Sequence, residues 1–167
     1  MNNKISYEKI LECFKRYYNV STENIAQPFI ARAEFKSHNE QYFLVKAAKV
    51  ADIDSNESVF FYDADSAHNE ALTPDFIHEL AQTAWQRGLE NFKPYYGHRN
   101  TDVSLIITAS NITAEAFNAV KKIHFYKSYL LGFFGWSSFR ILAYDDSTGR
   151  CETNRRGSDL RKLINSL

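Results

Sequence analysis

The candidates for catalysis in this sequence are three charged residues on two neighbouring predicted strands. Arg32 and Glu34 alternate with apolar residues at the two-residue period of a strand, and Lys46 lies in the next such stretch. A carboxylate can hold a divalent metal while a lysine orients the attacking water, so Glu34 and Lys46 could support metal-dependent hydrolysis. A ladder of surface salt bridges is the commoner role of such residues, and it is the alternative interpretation.

The predicted element order at the start of the chain is also found in a class of nucleases. Helix, three strands, helix, strand is the order in the core of restriction-endonuclease-like enzymes, whose third strand carries an acid-x-lysine motif. The corresponding stretch here, residues 57–63, contains no lysine. The enzyme hypothesis is therefore a degenerate metal-dependent nuclease that uses Glu34 and Lys46, with Arg32 beside them.

Other catalytic and cofactor motifs are missing from the sequence. Neither Cys13 nor Cys151 has a Cys-x-x-Cys partner, and the five histidines lack zinc-type spacing. Residues 52–56 imitate the start of a calcium-binding loop, but Glu57 stands where that loop needs glycine. No glycine-rich phosphate-binding loop occurs. The sequence therefore predicts no metal site and no cofactor.

Aromatic residues are concentrated in one segment that contains two glycines. The chain holds thirteen Phe and ten Tyr, and residues 132–136 include Phe133, Phe134 and Trp136. The segment differs from the stacking motif of RNA-recognition domains, because no basic residue precedes it and Phe134 stands where that motif needs glycine or alanine. Two interpretations stay open: the three rings pack in the core, or they form a surface for a partner.

A basic segment near the C-terminus is the candidate anion site. Arg155 and Arg156 precede Gly157, and Ser158 is predicted to begin the last helix. Guanidinium groups and the free N–H groups at a helix start both favour phosphate or sulfate. Solvated surface charge is the alternative interpretation of these residues.

Composition limits the class of protein and its partners. The 167 residues are 44% hydrophobic and 24% charged, which is typical of one globular domain that spans residues 1–167. Twenty basic and twenty acidic residues give no net charge, so binding to nucleic acid or anionic lipid would require a local patch. Two cysteines, a polar start and no long apolar run predict a cytoplasmic protein. The expected partners are a second copy of the chain or another protein, rather than nucleic acid or a membrane.

Hydrophobic patterning predicts the elements that hold these residues. Residues 6–18 have the spacing of an amphipathic helix, and three strands of an antiparallel meander follow it. Thr73 as the N-cap and Pro74 after it predict the longest helix, residues 73–93, with Trp85 buried. The predicted strands of the meander are residues 29–36, 41–50 and 59–62.

The second half of the chain continues the alternation of helices and strands. Residues 103–108 form a near-continuous apolar run, which is typical of a central strand covered on both faces. A helix capped by Thr113 comes next. The remaining predicted elements are strands over 126–131, 139–144 and 150–154 and a helix over 158–164. The order α-β-β-β-α-β-α-β-β-β-α predicts an α/β (α+β) fold, in which helices flank a mixed sheet.

Several segments together resemble a known family. Residues 31–35 paired with 42–46, the later stretch 129–136, and residues 153–155 resemble an uncharacterised bacterial and archaeal domain of unknown function. The resemblance covers nearly the whole chain and implies no activity. Abundant aromatic residues without a catalytic motif predict a non-enzymatic domain that acts by binding or self-association.

Overall fold

The computed structural model describes residues 5–35, 54–67 and 71–167. Within these residues the chain forms four α-helices and seven strands, with short 3₁₀ turns at Leu130–Gly132 and Arg155–Gly157. In chain order the elements are α1 Tyr7–Lys15, β1 Tyr18–Ser21, β2 Ala31–Phe35, β3 Asp54–Asp63, α2 Pro74–Leu89, β4 His98–Ala109, α3 Ala114–Lys122, β5 Tyr126–Ser128, β6 Trp136–Asp145, β7 Cys151–Thr153 and α4 Ser158–Asn165.

All seven strands belong to one mixed sheet, with the order β1-β2-β3-β4-β6-β5 and with β7 paired to β6. The three central strands β3, β4 and β6 are parallel, and every other pairing is antiparallel. The predicted fold class and element order are confirmed. The helices that connect the parallel strands, α2 and α3, lie on one face, as same-handed crossovers require.

The meander forms, but from partly different strands than predicted. Its first strand is β1, a segment that the sequence pattern assigned to the end of the first helix and the polar stretch after it. The pattern placed Tyr18 in the first helix because Tyr18 follows Phe14 by four residues, which fits a helix. In the structure α1 ends at Lys15, and Tyr18 begins β1. β2 pairs directly with β3. The predicted strand over residues 41–50 lies outside the described residues.

Two apolar layers cover the sheet. One layer packs α2 and α3 against the sheet, the other packs α1 and α4 against its opposite face, and β4 is buried between them as predicted. The predicted helix start is confirmed, since the Thr73 hydroxyl accepts from the Phe76 amide at 3.2 Å. The burial predicted for Trp85 is only partial. Its ring lies at the edge of the core against Phe125 and Phe139, with centroids 5.9 and 6.2 Å away.

Candidate functional site

A short loop between β5 and β6 projects three large apolar side chains into solvent. Leu130, Leu131 and Phe133 are 63, 96 and 74% exposed, and together we call them the apolar tip. The tip lies at one end of the sheet, where β4 and β6 begin and β5 ends. Phe133 was predicted as a partner-surface residue. Phe134 and Trp136, predicted with it, are half-buried at the base of the loop.

The loop is closed by its own backbone hydrogen bonds. The Tyr129 amide donates to the Gly135 carbonyl at 3.0 Å, and the Tyr129 carbonyl accepts from Gly132 at 2.9 Å and from Phe134 at 3.2 Å. Phe133 donates to the Leu130 carbonyl at 3.0 Å, and Gly135 to the Gly132 carbonyl at 3.1 Å. Every amide from residue 132 to residue 135 therefore has a partner inside the loop.

The loop is fastened to the segment that leads into β4. His98 is buried, with Nδ1 2.8 Å from the Phe134 carbonyl oxygen and Nε2 3.0 Å from the Thr101 hydroxyl. The Phe92 ring packs between His98 and Tyr129, with centroids 4.6 and 5.4 Å away. These contacts hold the base of the loop in place, so the tip projects from a fixed support.

Two consecutive leucines in the tip have left-handed backbone conformations. Leu130 has φ 46° and Leu131 has φ 54°, and Gly132 after them has φ 94°. Each left-handed non-glycine residue costs about 1 to 2 kcal/mol, because its Cβ crowds a carbonyl oxygen. The predicted strand over 126–131 therefore ends at Ser128. The hydrophobic pattern of the sequence did not predict that Leu130 and Leu131 are exposed in a turn, because an apolar run gives no sign of a left-handed backbone conformation.

Replacing Leu131 by asparagine is expected to stabilise the fold by about 0.5 to 1 kcal/mol, because asparagine tolerates the left-handed region and the leucine packs against little. Urea unfolding measures the change as a higher midpoint at unchanged slope. Leu131→Ala is the control, since it shortens the side chain but keeps the backbone penalty. A loss of stability in Leu131→Asn would instead show that this leucine supports the core.

Exposed basic residues lie on the segments that support the base of the apolar tip. Lys93 follows Phe92, the Arg99 backbone touches Gly135, and the Lys127 ammonium lies 5.5 Å from the Tyr129 ring centroid. We call these three residues the basic rim. No acidic residue occurs in residues 91–101 or 122–144. In the part of the chain that the structure describes, no rim residue forms an ion pair. These two segments therefore carry basic residues and no acidic one, while Asp54, the first residue of β3, is paired in register with His98 at the same end of the sheet.

A second charged cluster lies on the face of the sheet that carries α1 and α4. Glu57 on β3 contacts the Arg140 guanidinium on β6, and Asp102 on β4 lies 3.9 Å from the same group. We call these three residues the buried charge network; the Arg140 side chain is only 14% exposed. Tyr18 donates to Glu57 at 2.6 Å, and Ser138 donates to Asp102 at 2.6 Å. The carboxylates are thus held by hydroxyl donors as well as by the guanidinium.

The electrostatics of this network are those of a structural ion pair. Burial alone would lower the pKa of Arg140, but the neighbouring Glu57 and Asp102 carboxylates raise it above its ordinary value. Burial, followed by the charge of Glu57, raises the pKa of Tyr18 well above its ordinary value of 10.0. Tyr18 therefore stays protonated and Arg140 stays charged throughout the physiological range.

The raised pKa of Tyr18 predicts a loss of stability in alkali. Because the unfolded tyrosine loses its proton near pH 10 and the folded one does not, stability is fully present below that pH and falls above it. The slope from this residue is about 1.4 kcal/mol per pH unit. Urea unfolding above and below pH 10 measures it. Tyr18→Phe should flatten the profile, and an equally steep loss in that variant would contradict the assignment.

Two of the three predicted catalytic residues, Arg32 and Glu34, lie on the opposite face from the buried charge network. Arg32 and Glu34 pair along β2 at 2.7 Å, and the Arg32 guanidinium lies 5.2 Å from the centroid of the Phe60 ring, on the side of α2 and α3. Lys46 lies outside the described residues. Catalysis by these residues stays a prediction, and stabilisation of the fold by millimolar Mg²⁺ is its test.

The predicted anion-binding residues lie in the turn before α4 and at the first position of that helix. Arg155 and Arg156 are exposed, and the Arg156 guanidinium lies 5.1 Å from the centroid of the Tyr126 ring. The Gly157 amide is not free, since it donates to the Asn154 carbonyl at 3.0 Å. Ser158 is the first residue of α4. Anion binding by Arg155, Arg156 and Ser158 stays a prediction.

Two wider features of the structure concern metal ions and membranes. Among residues 5–35, 54–67 and 71–167, no group of three or more histidine, cysteine or acidic residues is placed to hold a metal ion. None of the helices in these ranges is long and apolar enough to cross a membrane.

The sheet order and the helices on both faces place the protein among the mixed α/β domains. The chain belongs to the family described as domain of unknown function (DUF8052), which matches residues 2–166. This confirms the resemblance to a domain of unknown function noted from the sequence. Neither the curated proteins nor the solved structures give a significant match to the chain.

Proposed function

We propose that the protein is a binding domain without catalytic activity of its own, and that the apolar tip is the part that contacts its partner. The observation that carries the proposal is the exposure of Leu130, Leu131 and Phe133 on a loop with an unfavourable backbone conformation. Isolated apolar residues on a surface are ordinary, but three within four positions form a patch.

The exposure and the backbone conformation of the apolar tip are not explained by a contribution to the stability of the fold. The tip residues lie outside both apolar layers, and two of them raise the energy of the backbone. A strained, exposed and rigidly supported group of large side chains is typical of a contact surface, because pre-organisation lowers the entropy lost on binding. The sequence predicted a second copy of the chain or another protein as the partner, and the test below detects either.

We propose that the protein works in a reducing compartment such as the cytoplasm. Cys13 and Cys151 are both free thiols. Burial raises the pKa of Cys13, and it raises the pKa of Cys151 to about 11. Such thiols are poorly nucleophilic at neutral pH, which supports a structural role for both cysteines.

Photo-crosslinking in the cells that make the protein tests the tip directly. Phe133 is replaced by the photoreactive p-benzoylphenylalanine in the full chain, and adducts are separated and identified by mass spectrometry. We expect a defined adduct, to protein or to lipid, from position 133. The matched control is the same replacement at Glu115, an exposed residue in the first turn of α3 near the opposite end of the strands.

The two positions together decide the proposal. An adduct from position 133 and none from position 115 supports a contact surface at the apolar tip. Equal yields at the two positions, or no adduct from position 133, would contradict it.

A further inference from the structure

We propose that the partner of the apolar tip is the surface of an anionic lipid bilayer, into which Leu130, Leu131 and Phe133 insert. The inference rests on the proposed function, because it names the class of partner for the same tip. It departs from the expectation, drawn from composition, that the partner is not a membrane. Three properties of the loop carry it: its shape, its internal hydrogen bonding and the charge around it.

The first property is the shape of the apolar surface. The three side chains project from a tight turn, and Leu131 at its summit is 96% exposed. A projecting point needs a concave or a deformable partner, and a bilayer interface is deformable. Tyr96, in the neighbouring loop, is 88% exposed. Tyrosine is enriched where membrane and water meet, since its ring is apolar and its hydroxyl is polar.

The second property is the internal hydrogen bonding of the loop. Unpaired backbone groups are costly in a lipid environment, where no water replaces their partners. In this loop the amides of residues 132–135 all donate to carbonyls within the loop, and the Tyr129 amide donates to Gly135. The turn can therefore enter the apolar edge of a bilayer with most of its amides already paired.

The third property is the charge of the basic rim. Lys93, Arg99 and Lys127 lie on the loops and strand ends that support the tip, with no acidic residue in the same segments. Anionic headgroups attract such residues when apolar side chains bring them to the surface. A symmetric dimer through the tip would instead place each rim against the identical rim of the second copy. Like charges would oppose that contact, so the rim favours an anionic partner over self-association.

Sedimentation with lipid vesicles tests the proposal on the intact protein. One set of vesicles is phosphatidylcholine alone, and the other is equal parts of phosphatidylcholine and phosphatidylglycerol. We expect binding to the anionic vesicles, little binding to the neutral ones, and weaker binding as salt is added. Binding to neither set, or equal binding to both, would overturn the proposal.

Three variants assign the binding to the tip and its rim. Leu131→Asn, whose fold is expected to be at least as stable as the wild type, should bind about tenfold more weakly. Lys127→Gln should bind about fivefold more weakly. The matched control is Arg150→Gln, which removes the same charge near the other end of β6, where Arg150 pairs with Glu152 at 3.2 Å. An equal loss in the control would overturn the assignment to the rim.

The vesicle experiment and the crosslinking experiment test two separate proposals, and either proposal can be contradicted without the other. A protein adduct or a crosslinked dimer at position 133, without vesicle binding, would overturn the membrane surface as partner and leave the binding function in place. The absence of any adduct at position 133 would overturn the binding function itself. Vesicle binding that Leu131→Asn does not weaken would locate the membrane contact elsewhere and overturn the inference.

Discussion

Replacing Arg140 by methionine is expected to destabilise the protein by about 3 to 5 kcal/mol. The guanidinium contacts Glu57 and lies 3.9 Å from Asp102, and all three side chains are largely buried. Without it, two carboxylates remain close together in a poorly solvated place with no positive charge between them. The free energy of unfolding, measured in urea and extrapolated to water, gives the size of the loss.

A second arginine, in the turn that joins β6 to β7, provides the control for this experiment. Arg150 also pairs with a glutamate, Glu152, but the Arg150 side chain is exposed. A pair with one exposed partner contributes up to about 1 kcal/mol, because water and salt screen it. Glu152 is largely buried, but it also keeps Lys121 and Arg161 as partners when Arg150 is removed. Arg150→Gln should therefore change stability far less than Arg140→Met. Similar losses in the two variants would show that the buried charge network behaves as surface charge.

The second large effect is expected at Gly135, where the tip loop meets β4. A side chain at this position would place its Cβ 2.1 Å from the Arg99 carbonyl oxygen, and the residue has φ +77°. The backbone must move to admit even a methyl group, so Gly135→Ala should cost at least about 3 kcal/mol. Thermal unfolding measures the loss, and the fluorescence of Trp136, the next residue, reports movement at the base of the loop.

A substitution at Gly132, in the same loop, separates the loss of stability caused by a steric clash from the loss caused by the backbone conformation. It also has a positive φ, +94°, but no atom lies within 4 Å of the position that its Cβ would take. Gly132→Ala should therefore cost only about 1 to 2 kcal/mol. Equal losses at the two glycines would mean that the close approach of Gly135 to Arg99 contributes nothing to stability.

The helices and the central strands were predictable because their signals are local. Thr73 and Pro74 begin α2, Thr113 caps α3, and the apolar run at 103–108 is the buried centre of β4. Each signal depends on residues within a few positions of one another, so it can be recognised in the sequence without any tertiary information. The strand β1 was missed because the four-residue spacing of Phe14 and Tyr18 suits a helix as well.

The buried charge network and the apolar tip were less predictable because they depend on long-range register and on backbone conformation. Glu57 and Arg140 are 83 residues apart, and only the pairing of three parallel strands brings them together. Phe133 was found from its glycine-rich surroundings, whereas Leu130 and Leu131 looked like the end of a strand. Their exposure follows from a left-handed turn, which no pattern of hydrophobicity specifies.

The parallel direction of the three central strands has a consequence for orientation. Strands β4 and β6 both begin at the tip, so a protein anchored there would stand upright, with the strands rising away from the bilayer. Strand β4 has twelve residues, which lifts its far end roughly 35 Å above the point of attachment. Open α/β sheets commonly hold ligands outside the carboxyl ends of their strands. The carboxyl ends of these strands would face the surrounding solution and would be accessible to other molecules while the tip is in contact with the bilayer.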